Sequence, residues 1–136
     1  MDEKLTYYSL EKLGRDKIIE TIRERILEDG RIIIALAFGS ILRRDKVRDI
    51  DIAVHASPEI DLFGLLTLGS KLEDSVGIPI DVSPLTEIAP CMRYQVIARG
   101  IRIVVRDERL LNEMMSASFS ECQELKLLVA HHQGNG

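Results

Sequence analysis

Ile18, Ile19, Ile22, Ile26 and Leu27 recur at helical spacing with charges between them. They predict a helical segment over residues 1–30, split by Gly14 and ended by Gly30 as its C′ residue. Residues 31–38 (RIIIALAF) are short, isoleucine-rich and bounded by glycines, the signature of a buried strand. Gly39-Ser40 then introduces a short turn over residues 41–44, with Ser40 as its expected N-cap. A charged stretch leads into a second, alternating strand over residues 49–54. Residues 58–74 read as a helix with Leu62, Leu65, Leu66, Leu68 and Leu72 on its apolar side, closed by Gly77. A third strand follows over 78–82, with Pro79 marking its start or an edge. Next come a helix over 87–99 closed by Gly100, a fourth strand over 101–105 and a last helix over 107–130. The stripe of that helix is Leu111, Met115, Cys122, Leu125 and Val129, which faces either the sheet or a partner. The expected class is α/β (α+β): a small mixed sheet of about four strands flanked by helices, with the first two strands paired through the short 39–48 connection.

A length of 136 residues suits one domain, 1–136, divided into a helical segment 1–30, a core 31–105 and a C-terminal helix 107–130. Apolar residues make up 46% of the chain, enough for a core. The net charge of −4 argues against coating nucleic acid through bulk electrostatics. The longest apolar run, residues 32–38, falls far short of the ~20 residues of a membrane helix. The N-terminus lacks the apolar centre of a signal peptide. A soluble cytoplasmic protein is expected. Cys91 and Cys122 lie far apart without a C-x-x-C spacing, which predicts two reduced, buried thiols and neither a disulfide framework nor a zinc site. Residues 131–136 are expected to fray, with His131 and His132 in solvent.

The chemistry resides in a few polar positions. Strand alternation puts Asp49 and Asp51 on one face and Ile50, Ile52 and Val54 on the other. Two carboxylates so close are tolerated in solvent or around a cation, and Mg²⁺ binds through one or two carboxylates plus substrate phosphates. Taken alone, such a pair marks only solvated surface acids. Gly39 after a buried strand lets backbone approach a ligand, and Ser40 adds a hydroxyl, although an ordinary strand-to-helix turn has the same look. Asp81 interrupts an apolar strand; it either faces water on an edge or joins the other acids as a ligand or proton acceptor. Arg43, Arg44, Lys46 and Arg48 form a solvated basic loop or a grip for polyphosphate. His55, at the far end of the second strand, reads as a bystander.

Together these positions run as apolar strand, Gly39-Ser40, short basic connection, Asp49-Ile50-Asp51, and Asp81 in a later strand. That order resembles the minimal nucleotidyltransferases of the DNA polymerase β superfamily over roughly residues 31–105. Residues 89–101 also look like the helix and strand that follow the third aspartate in that family. The resemblance implies that Gly39 and Ser40 hold a nucleoside triphosphate. Asp49, Asp51 and Asp81 would bind Mg²⁺, Asp81 would help activate the acceptor hydroxyl, and Arg43 or Arg44 would contact phosphate. It further implies nucleotidyl transfer with ATP as donor. The acceptor it implies is a tyrosine of a small HEPN-type toxin, with this chain as antitoxin. One departure stands out: eight residues separate Ser40 from Asp49 where many relatives have about ten, and the spacer has neither the glycine nor the serine common there. That shortening keeps open a weakly active or inactive nucleotide-binding or antitoxin module acting by protein–protein contact. Transfer to a small molecule, with an acceptor site built across a homodimer, is a third expectation.

Overall fold

Strand β2 (Ile32–Phe38) is central because nearly every one of its side chains has an apolar neighbour on one side of the sheet or the other. A computed structural model describes residues 6–134. The element order is β1 (Tyr8–Ser9), α1 (Leu10–Leu13), α2 (Arg15–Leu27), β2, β3 (Lys46–Val47), β4 (Ile50–Ala56), α3 (Leu62–Val76), β5 (Ile80–Pro84), α4 (Pro90–Arg99), β6 (Ile101–Val105) and α5 (Glu108–Gly134). The main sheet runs β5-β4-β2-β6; β2 is antiparallel to β4 and β6, and β4 is parallel to β5.

One face carries Ala35, Ala37, Ile50, Ile52 and Val54, covered by Ile18, Ile22 and Ile26 of α2 and by Leu65, Leu68 and Leu72 of α3. The opposite face carries Ile34, Leu36 and Ala53 under Val96 and Ile97 of α4 and Leu111 of α5. A bulge between Ile32 and Ile34 reverses the alternation, so Ile32 joins Ala35 and Ala37 in the α2–α3 core. Because both faces are covered, the strands read as continuous apolar runs.

Most predicted elements stand, with revealing differences. Gly14 does split the first helices, at φ +86°, and Gly77 closes α3 in the left-handed region. Gly30 has no such role: α2 ends at Leu27 with Glu28 as its C-cap. Of residues 1–30, the first five lie outside the described residues, and Tyr8–Ser9 is strand rather than helix. It pairs antiparallel with Lys46–Val47, inside what reads as a solvated connection. Asp45 fastens the same join: it accepts from Ser9 Oγ at 2.9 Å and from the Glu11 amide at 2.8 Å. The helix predicted from residue 58 starts only at Leu62, capped by Asp61. Leu62 and Leu66, expected on its apolar side, are exposed, because only Leu65, Leu68, Gly69 and Leu72 reach the sheet. Strand β5 is an edge strand running two residues later than expected, with Pro79 just before it.

The cysteine expectation is overturned. Cys91 of α4 and Cys122 of α5 form a disulfide, because the antiparallel packing of those helices brings residues 31 apart in sequence to a Cα separation of 4.7 Å. Arg93 reinforces the join through Ser118 Oγ at 2.7 Å and Glu121 at 2.5 Å. Helix α5 continues past residue 130 to Gly134, in a segment expected to fray; residues 135–136 of that expectation lie outside the described residues. Its stripe divides: Leu111 and Cys122 are buried, whereas Leu125 and Val129 are exposed with Leu127 and Leu128. Among the described residues no helix is long and apolar enough to cross a membrane.

Candidate active site

Strand register brings the acids together. Asp51 pairs with Phe38 across the antiparallel ladder, and Gly39 follows Phe38 directly. Asp51 also stands in register with Asp81 across the parallel β4–β5 pair, which directs both side chains to one face. Asp49 lies one residue before β4. Asp49 and Asp81 are exposed, and Asp51 is half-buried. Burial pushes the Asp51 carboxyl above its ordinary range, and the like charges of Asp49 and then Asp81 add to the shift. All three acids therefore act on one locus.

Two features favour glycine at position 39. Its φ is +80°, and a β-carbon at this position would come within 2.6 Å of Asp51 Oδ2. The strand-to-turn junction is thus pressed against the central carboxylate. Residues Gly39–Leu42 form a single 3-10 turn whose N-cap is Phe38, with no side-chain capping bond. Ser40 accordingly sits inside the turn and does not cap it, contrary to expectation. Its carbonyl accepts from the Arg43 and Arg44 amides at 3.0 and 2.9 Å. The Arg15 guanidinium donates to the Ile41 carbonyl, so α2 secures the turn from behind.

A cleft of about 490 Å³ opens between this turn and α4. Gly39 and Arg43 form one wall; Gln95 and Arg99 belong to the other. Phe38 and Met92 add apolar surface. Its size and mixed lining fall within the range of small-ligand sites. Of the expected site residues Gly39 and Arg43 line the cleft, whereas Ser40, Arg44, Asp49, Asp51 and Asp81 do not; the acids adjoin it through the contact of Gly39 with Asp51. The helix within residues 89–101 belongs to the resemblance, but none of its side chains is among the expected site residues, since Arg99 before Gly100 reads as an ordinary basic residue at a helix C-terminus. His55 lies elsewhere, in a separate cavity with Glu59 and Thr86.

The donor set suits a hard cation, because a divalent ion at the acids would relieve both repulsions acting on Asp51. Among the described residues no group of three or more His, Cys, Asp or Glu side chains is placed to hold a metal ion, so Asp49, Asp51 and Asp81 do not by themselves form the expected three-carboxylate site. Such an ion would take its remaining oxygens from a phosphate ligand.

Comparison with known proteins fits this geometry. The family profile described as polymerase beta, nucleotidyltransferase matches residues 17–109. No curated protein matches the chain. Among solved structures, the fold is similar to a toxin-antitoxin bound to AMP-PNP at 22% identity and a TM-score of 0.69, covering 90% of this chain and 97% of that one. It is likewise similar to the toxin-antitoxin MntA-HepT, at 22% identity and a TM-score of 0.65, covering 91% and 97% of the two chains. A third similar structure is a tri-AMPylated Shewanella oneidensis HEPN toxin in complex with MNT antitoxin, at 22% identity and a TM-score of 0.66, covering 92% and 97%. With the family profile spanning the sheet, the glycine turn and all three aspartates, the chain belongs to the polymerase β nucleotidyltransferase family.

Proposed function

We propose that this protein transfers AMP from ATP to the hydroxyl of a tyrosine on a HEPN-type toxin partner, and so serves as an antitoxin. The observation that carries the reading is the half-buried Asp51, repelled by Asp49 and Asp81 and set directly against Gly39. The arrangement suits an anionic ligand that arrives with its own cation. The AMP-PNP and the AMPylated toxin in the similar structures support the choice of donor and acceptor.

Each residue has a distinct task. The turn of Gly39 and Ser40 admits the triphosphate close to backbone at Gly39, and Arg43, which lines the cleft, contacts its oxygens. Asp49 and Asp51, with Asp81, would hold Mg²⁺, which supplies electrostatic stabilisation of the charge building on the phosphate oxygens. Asp81 accepts the proton of the attacking hydroxyl. The hydroxyl oxygen bonds to the α-phosphorus, the bond to the bridging oxygen breaks, and pyrophosphate leaves with that electron pair. Placement and charge carry the catalysis, and no enzyme-bound covalent intermediate is needed. The partner surface that goes with this reading is the exposed end of α5 around Leu125, Leu127, Leu128 and Val129. A cytoplasmic location, where ATP and Mg²⁺ are at hand, goes with this chemistry.

Incubation with α-labelled ATP, Mg²⁺ and the protein encoded beside this one tests the reading. Label on a tyrosine of the partner, lost with Asp49→Ala, is the expected outcome. Complex formation without label transfer, unchanged in Asp49→Ala, would instead establish the contact-only module. The connection pinned by β1, β3 and Asp45 favours that second reading, since it limits how far the basic loop moves toward phosphate.

A further inference from the structure

Among the described residues, eight arginine side chains are engaged. Arg15, Arg23 and Arg106 donate to backbone carbonyls. Arg25, Arg31, Arg93, Arg102 and Arg109 pair with carboxylates. The four remaining arginines of the sequence are Arg43, Arg44, Arg48 and Arg99. Three of these belong to the connection between Ser40 and Asp49. The fourth comes from a distant part of the chain, and the fold delivers it to the same place.

The register explains how. Ile101 of β6 pairs with Ala37 of β2, so the residues just before β6 lie beside the end of β2 that runs into Gly39. Gly100 permits this approach: a β-carbon there would lie 3.1 Å from the Ala37 carbonyl and 3.5 Å from Leu36 Cβ. Arg99 is therefore held at the last turn of α4, lining the cleft that Gly39 and Arg43 close from the opposite side. Two guanidinium groups line one cleft with no carboxylate partner for either among the described residues. A phosphate entering between them would accept charge-assisted hydrogen bonds from both sides. Gln95, one turn earlier on α4, adds an amide to the same wall.

We propose that Arg99 binds the β- and γ-phosphates of the nucleotide, acting with Arg43 from the other wall of the cleft. The inference rests on the nucleotidyl-transfer reading for the identity of its ligand. The metal acids would then engage the triphosphate where the bond breaks, while Arg43 and Arg99 hold the departing pyrophosphate. This second wall offsets the short connection between Ser40 and Asp49, whose eight residues leave less room around a triphosphate. Charge accumulating on the leaving group makes the Arg99 contact stronger in the transition state than in the bound substrate.

The test uses Arg99→Ala and Arg99→Lys in the full chain, with Arg109→Ala as a control for loss of positive charge elsewhere. Arg99 is exposed, and thermal midpoints close to wild type would verify that the variants fold. Affinity for ATP, for inorganic pyrophosphate and for AMP is measured by calorimetry in the presence of Mg²⁺, alongside transfer kinetics. Arg99→Ala should weaken ATP and pyrophosphate binding by roughly 10- to 100-fold. AMP affinity should be unchanged, Arg99→Lys should recover part of the loss, and Arg109→Ala should match wild type. Equal ATP and pyrophosphate affinities in wild type and Arg99→Ala would overturn the assignment even if label transfer proceeds normally. A wild-type protein that binds ATP through Arg99 but transfers no label would sink the transferase reading and leave this one standing. Absence of ATP and pyrophosphate binding in the wild type would sink both.

Discussion

The two ends of the sheet solve opposite problems with the same residue types. At the end where β2 begins and β6 finishes, charge is spent on holding the fold. Arg106 donates to the Ile32 carbonyl at 3.0 Å and the Leu27 carbonyl at 3.2 Å, tying α2 to the sheet. Arg31 binds Asp29 through two nitrogens, at 3.0 and 2.7 Å. Hydrogen bonding from Arg31 holds the Asp29 carboxyl below its usual range. At the other end Asp49 and Asp81 repel the Asp51 carboxylate, four arginines lack partners among the described residues, and a glycine is held at positive φ against a carboxylate. One end stabilises the native state, while the other keeps charge uncompensated where a charged ligand would compensate it. Departures from local consistency of this kind concentrate at functional sites.

That contrast is open to direct attack. The largest effect is expected from Asp51→Asn. Losing the central carboxylate removes several kcal/mol of transition-state stabilisation, so transfer should fall by about 10³-fold or more. The free protein should meanwhile gain stability at neutral pH without divalent cations. Because the folded Asp51 carboxyl titrates above its ordinary value of 3.8, its ionised form carries a penalty that is absent in acid and complete above the raised value. The thermal midpoint of Asp51→Asn should therefore exceed that of wild type at pH 7, with the gap closing as pH falls toward 3.8. A midpoint below wild type at pH 7 would show that Asp51 supports the fold.

Arg106→Ala should behave in the reverse sense. Two charge-assisted bonds to carbonyls are lost, for about 1.5–3 kcal/mol in denaturant unfolding. The specific transfer activity of the folded fraction should be unchanged, since Arg106 lies at the opposite end of the sheet from the acids. The smallest stability change is expected for Gly39→Ala, about 1–2 kcal/mol for a side chain at φ +80°. Its β-carbon also displaces the Asp51 carboxylate, so nucleotide affinity should drop although no charge has been altered. Unchanged affinity in this variant would break the link between the glycine turn and the acids.

Local pattern alone carried much of this molecule. Alternation around residues 49–54 separated the acids from Ile50, Ile52 and Val54, because it depends only on the strand period, and the short isoleucine-rich run 31–38 marked a buried strand, because a strand covered on both faces is apolar throughout. Gly14 and Gly77 punctuated helices as read, since a left-handed residue is a local requirement. Only the assembled sheet decided the rest. Whether Asp81 meets Asp51 depends on which strand lies beside β4 and in what register, and two residues of slippage would have parted them. The β1–β3 pairing, the Cys91–Cys122 bridge, the exposure of Leu62 and Leu66, and the arrival of Arg99 opposite Arg43 all join positions far apart along the chain. Periodicity reports how a residue sits relative to its immediate neighbours, whereas these contacts arise from the packing of whole elements.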